Sequence, residues 1–114
     1  MVLVLPIKRK WFDMIKSGEK KEEYREIKPY YDNRIGNAVA GISFKHCHPD
    51  FIKKLENNKE FDVIFRNGYS YDSPHIWCIC TFRRGTGKEE WGAIPNKEYY
   101  ILDIKRIDHV TDKN

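Results

Sequence analysis

A change of hydrophobic period near the start constrains this chain more than any other feature. Val2, Leu3, Val4 and Leu5 form a continuous apolar run closed by Pro6, which predicts a short strand buried on both faces near a sheet edge. From Lys8 to Ser17 the period becomes helical. Trp11, Phe12, Met14 and Ile15 share a face there, which leaves Lys8, Arg9, Asp13 and Lys16 for water. Gly18 then stops the helix, because glycine enters the left-handed cap conformation at little cost. A strand followed at once by an amphipathic helix points to a mixed fold.

The rest of the chain repeats both periods. Lys20 to Glu26 (KKEEYRE) is too short and too tightly bounded for a convincing helix and predicts a strand. Strand alternation would put Lys21, Glu23 and Arg25 on one side and Lys20, Glu22, Tyr24 and Glu26 on the other. Lys28 to Ile35 predicts a loop with a short helical turn, and Val39 to Phe44 a further strand. Pro49 to Lys59 predicts a helix with Phe51, Ile52 and Leu55 on one face. Phe61 to Phe65, Ile76 to Phe82 and Tyr99 to Ile107 complete the strands. With 114 residues, 40% of them hydrophobic, the chain has room for one core. The expected architecture is a single α+β domain, 1–114, built as a small β-barrel or strongly curved sheet with packed helices.

Charge and cysteine content narrow the function classes. Lys and Arg number 21 against 17 Asp and Glu, a net +4, and most of the excess lies before Pro29. This fits a solvated helix and charged strand, and equally a phosphate-facing patch. Three cysteines, Cys47, Cys78 and Cys80, form an odd set, and MVLVLP is too short for a secretory leader. The expected address is cytoplasmic. No run approaches the roughly 20 apolar residues of a membrane span, so no membrane partner is expected.

Several familiar motifs fail on spacing. GTGK at Gly85 to Lys88 lacks the glycine five positions before Gly87 and the hydroxyl after the lysine, since Phe82 and Glu89 stand there. A hairpin with Arg83 and Arg84 at its base is the simpler reading. His46, Cys47 and His48 with Cys78 and Cys80 lack the paired spacing of a zinc site. Buried cysteine acts as a small hydrophobe, so no metal and no cofactor are expected. His75 and His109 have no nucleophile signature to serve.

What remains is the charged strand with Lys20, Glu23 and Arg25, together with Arg66, Asn67, Glu90 and Trp91. The cations could meet phosphate, a carboxylate could orient a base edge or move a proton, and an indole could stack a base. The same residues could equally be exposed charges paired with one another to little effect.

The stretch WFDMIKSGEKKEEYRE, with G-x-K-x-x-E-x-R at Gly18, Lys20, Glu23 and Arg25, resembles the signature of the ASCH domain, a branch of the PUA-like superfamily. KPYYDNRI, VIFRNGY and GTGKEEWGA resemble blocks of a compact bacterial and phage subgroup, so the likeness spans nearly the whole chain. It implies a PUA-like barrel with a cleft floored by the motif strand, and binding of RNA or a nucleotide. Some members resemble amidohydrolases of N-acylated cytidine, others ribonucleases. The amidohydrolase set has a lysine, a threonine and a distant glutamate. Lys20 matches the first, Glu23 stands in place of the threonine, and Glu90 is the counterpart offered for the third, ahead of Glu89.

Two functions follow. As a binding module, Lys20 and Arg25 would hold phosphate or carbonyl groups, Glu23 a base edge and Trp91 a stacked ring, with Arg66 and Asn67 alongside. As a hydrolase, Lys20, Glu23 and Glu90 would perform acid and base work on an amide or phosphodiester.

Overall fold

The alternating periods resolve into one mixed sheet carrying three helices, in a computed structural model that describes residues 2–113. In chain order the elements are β1 (Val2–Pro6), α1 (Arg9–Lys16), β2 (Glu22–Glu26), α2 (Pro29–Ala40), a 3-10 turn (Phe44–His46) and α3 (Pro49–Leu55). β3 (Phe61–Arg66), β4 (His75–Thr86), a second 3-10 turn (Glu89–Trp91) and β5 (Glu98–Thr111) follow. The sheet order is β1-β3-β4-β5-β2. β1 runs parallel to β3, and every other pair is antiparallel. The fold is α+β. Among the described residues no helix is long and apolar enough to cross a membrane.

Strand alternation selects the core. Leu3 and Leu5 of β1, Val63 and Phe65 of β3, Cys78, Cys80 and Phe82 of β4, and Tyr100 and Leu102 of β5 belong to one buried cluster. Phe12 and Ile15 of α1, Ile35 and Val39 of α2 and Ile52 of α3 close over it. Each large apolar side chain so buried contributes about 1.5–3 kcal/mol. Because the helices share this one cluster, β1 is buried on one face and not on both: Val2 is exposed and Val4 half-buried.

The middle of the chain departs most from the sequence expectation. The loop over Lys28 to Ile35 and the strand over Val39 to Phe44 are replaced by α2 and the 3-10 turn after it. Pro29 opens α2 in its first turn, Asp32 favours that end electrostatically, and Gly41 closes it at φ 73°. Its buried positions, Ile35, Ala38 and Val39, keep helical spacing. Gly36 hides the pattern. A Cβ there would stand 2.5 Å from the Phe44 backbone nitrogen, so glycine lets the following chain fold back against the helix. α3 is shorter than Pro49 to Lys59, because Asn57 turns to φ 65° and its N–H donates to the Phe82 carbonyl.

The sheet is open: β1 and β2 end the strand order and do not pair with each other. Yet the Arg25 guanidinium on β2 donates to the Pro6 carbonyl on β1 at 2.7 Å. The sheet therefore curls until its two edges lie within reach of one side chain. On the same edge of β1, the Val4 carbonyl accepts from Arg34 of α2 at 2.6 Å. Capping by arginine leaves this edge without free acceptors at these positions and blunts it against pairing with another chain.

Candidate functional site

Gly18, at φ 86°, turns the chain out of α1, and the Lys20 N–H donates to the Met14 carbonyl at 2.9 Å. β2 starts only at Glu22, so Lys20 precedes the strand and escapes its alternation. Strand period alone would put its amine on the face away from Glu23; the turn brings the two together. Lys20 Nζ lies 3.1 Å from Glu23 Oε1 and donates to the Trp91 carbonyl at 2.6 Å. The Trp11 and Tyr24 rings flank the amine, with centroids at 5.0 and 4.8 Å. Lys20 is 1% exposed. Burial pulls its pKa below the ordinary lysine value, against the opposing pull of Glu23.

Glu23 and Arg25 pair in register with Leu102 and Tyr100 and so emerge on the core side of the sheet. Glu23 Oε2 accepts from Arg25 at 2.7 Å. The guanidinium also donates to the Tyr31 hydroxyl at 3.3 Å. Burial works against the Arg25 charge, but Glu23 and Tyr31 together hold its pKa above the ordinary value. The outcome is one continuous polar chain: Trp91 carbonyl, Lys20, Glu23, Arg25, Pro6 carbonyl. It crosses the seam of the curled sheet.

The opposite side of β2 positions the segment that supplies the Trp91 carbonyl. The Tyr24 hydroxyl donates to Glu22 at 2.7 Å and accepts from the Lys88 N–H at 3.0 Å. Arg83 bridges Glu22 and Asp103 at 2.8 and 2.9 Å. Gly87 is required by close approach, since a Cβ there would stand 2.5 Å from the Tyr24 ring. β4 thus runs on through Arg83 and Arg84 to Thr86 and pairs with β5, so these arginines are ion-paired strand residues close to the base of the β4–β5 hairpin loop.

A cavity of about 240 Å³ opens beside the polar chain, lined by Trp11, Glu23, Tyr24 and Arg25 and by Pro6, Ile7 and Lys8. A second, of about 460 Å³, lies across Pro6 to Lys8 and is lined by Asn67, Gly68 and Tyr69. The first offers a carboxylate that accepts, a guanidinium that donates and an indole wall. Pro6, Ile7 and Lys8 line both.

The other residues expected at the site are dispersed around it. Trp91 is half-buried, gives its carbonyl to Lys20 and stacks its ring under Lys88 at 4.4 Å, away from the cavity lining. Glu90 is exposed and makes no ion pair or hydrogen bond with Lys20 or Glu23. The Asn67 side chain donates to the Ile7 carbonyl at 2.9 Å and pins the β1–α1 connection. The Arg66 carbonyl accepts from the Ile7 N–H, and its buried Nε has no partner among the described residues. Sequence reasoning misses Trp11 as a site residue because helical phase assigns it to the core. Phe12 and Ile15 occupy the centre of that face and leave Trp11 half-buried on its flank. Tryptophan at the edge of the apolar stripe is the available signal.

Among the described residues, no three His, Cys, Asp or Glu side chains gather as a metal site. Cys78 and Cys80 lie in the core cluster, and burial pushes the Cys78 thiol up to about 12. No protein-family model, no curated protein and no solved structure matches this chain.

Proposed function

We propose that the cleft binds a nucleotide or an unpaired base of RNA. The carrying observation is the Glu23 carboxylate, fixed between Lys20 and Arg25 on the wall of the smaller cavity. A carboxylate so held accepts from the amino and imino hydrogens of a base edge, Arg25 donates to a carbonyl, and Trp11 stacks. The volume of about 240 Å³ falls below the roughly 300–1,000 Å³ of pockets that enclose drug-sized ligands. It suits one base better than a whole ligand. Lys20, buried and already bonded, is a positioning residue for Glu23 and not a phosphate contact. The basic front of the chain and the resemblance of Gly18, Lys20, Glu23 and Arg25 to the ASCH signature support the same reading. With it goes a PUA-like barrel left open at the seam that Arg25 bridges.

Titration of labelled single-stranded RNA at several salt concentrations tests the proposal. Binding should weaken with salt by about 0.7 in log–log slope for each phosphate contact. Trp11→Ala should weaken it by about 1–3 kcal/mol, the value of one stacked base. Wild-type protein that binds neither RNA nor nucleotides at low salt would refute the reading.

A second reading, hydrolysis of RNA or of an acylated nucleoside, is favoured by one observation: a buried lysine of lowered pKa touching a carboxylate. In that case Glu23 would activate water directly, without the threonine hydroxyl and without Glu90. Products from N-acylated cytidine or short RNAs, abolished in Glu23→Gln, would establish it.

A further inference from the structure

The loop between β3 and β4 is closed on itself yet leaves its aromatic rings in water. The Asn67 N–H donates to the Pro74 carbonyl at 2.8 Å, and the Ser73 N–H to the Ser70 carbonyl at 3.0 Å. The Ser73 hydroxyl accepts from the Ser70 N–H at 3.1 Å. Gly68 takes φ 132°, and a Cβ there would collide with the Ser73 hydroxyl. This bonding orders the loop without using Tyr69, which is 95% exposed. The ring contributes nothing to the core, and it lines the cavity of about 460 Å³ next to the base site.

Lys8 joins the two cavities. It lines both, is exposed, and makes no ion pair among the described residues. The Asn67 side chain holds the Ile7 carbonyl, so the base of the loop and the wall shared by the cavities are tied together. The residues along the groove are therefore Glu23 and Arg25 in the smaller cavity, exposed Lys8 at the wall shared by both, and the exposed ring of Tyr69 in the larger. Single-stranded nucleic acid presents the same order as base edge, phosphodiester and next base.

We infer that the groove takes a dinucleotide step of single-stranded RNA, with one base against Glu23 and Arg25, the phosphodiester on Lys8 and the adjacent base stacked on Tyr69. The inference rests on the base-binding reading and extends it from a nucleotide to a strand. Tyr71, 88% exposed on the same loop but outside both cavity linings, takes no part.

Affinities of wild type, Tyr69→Ala, Tyr69→Phe, Tyr71→Ala and Lys8→Ala should be measured for the four ribonucleoside monophosphates and for homopolymeric tetraribonucleotides. Wild type should bind at least one tetranucleotide more tightly than its monophosphate. Tyr69→Ala should lose roughly tenfold or more on the tetranucleotide, the order expected for one stacked base, and nothing on the monophosphate. Tyr69→Phe and Tyr71→Ala should match wild type. Lys8→Ala should reduce the salt slope for the tetranucleotide by about 0.7. If monophosphates bind but tetranucleotides gain nothing, or Tyr69→Ala is neutral, the strand is overturned and the base site stands. If neither ligand binds at low salt, both fall.

Discussion

Lys20 joins most of what is unusual at the level of single residues. A lysine that is 1% exposed has given up its hydration, and it recovers the loss through Glu23, the Trp91 carbonyl and two aromatic faces. Lys20→Met keeps the stem and removes the charge. The Trp91 carbonyl then has no Lys20 donor and Glu23 keeps only Arg25, so unfolding free energy should fall by about 3 kcal/mol, the lower end for a broken buried pair. Denaturant titration measures it. A loss below about 1 kcal/mol, the size of an exposed pair, would mean that Lys20 is solvated. Lys20→Met combined with Glu23→Gln should cost less than the sum of the two, because each removes the partner of the other. The lysine, the glutamate and the arginine are legible as a group in G-x-K-x-x-E-x-R, since a glycine turn and one short strand set their spacing locally. Which face Lys20 takes is not legible, because the strand begins two residues after it.

Among the elements, α2 tests whether packing or propensity decides a helix. In a free helix, replacing Gly36 by alanine would gain up to about 1 kcal/mol. Here the Cβ would meet the Phe44 nitrogen and the Ile42 carbonyl at 2.5 and 2.6 Å, both backbone atoms that cannot rotate away. Gly36→Ala should therefore destabilise by about 1–3 kcal/mol, as overpacking does. The sign of the shift in a urea midpoint separates the two accounts: a gain would show that the turn after α2 yields easily. The mid-helix glycine that makes this contact is also what breaks the apolar period, so α2 reads as a loop in sequence. α1 has no such interruption, and its phase identifies Phe12 and Ile15 as buried residues directly.

At the scale of the whole molecule, the ends of the chain are tied through charge. Asp112, just beyond β5, accepts from Arg9 at 2.6 Å and Lys16 at 3.0 Å on α1. Hydrogen bonding from Arg9, then from Lys16, holds its carboxyl at about 2, against an ordinary value of 3.8. A carboxyl whose folded pKa is depressed contributes stability that is present above the ordinary value and is lost as pH falls towards the folded one. Asp112→Asn should therefore be less stable than wild type at neutral pH, and the difference should shrink as pH falls from about 3.8 to about 2. Thermal unfolding over that range measures it, and a difference independent of pH would exclude the ion pairs as its source. The sequence by itself determined the α+β class, α1, the centres of β3, β4 and β5, and the grouping of Lys20, Glu23 and Arg25. Each of these rests on period or spacing within a few neighbouring residues. Tertiary structure alone decided α2, the seam, and the walls of the cleft. Arg25 meets a carbonyl 19 positions away and Lys20 one 71 positions away, and Lys8 and Trp11 at the start of α1 meet the groove that Tyr69 lines from the loop between β3 and β4. Backbone carbonyls carry no side-chain signature, and a contact across the sheet exists only once the strands have chosen their order.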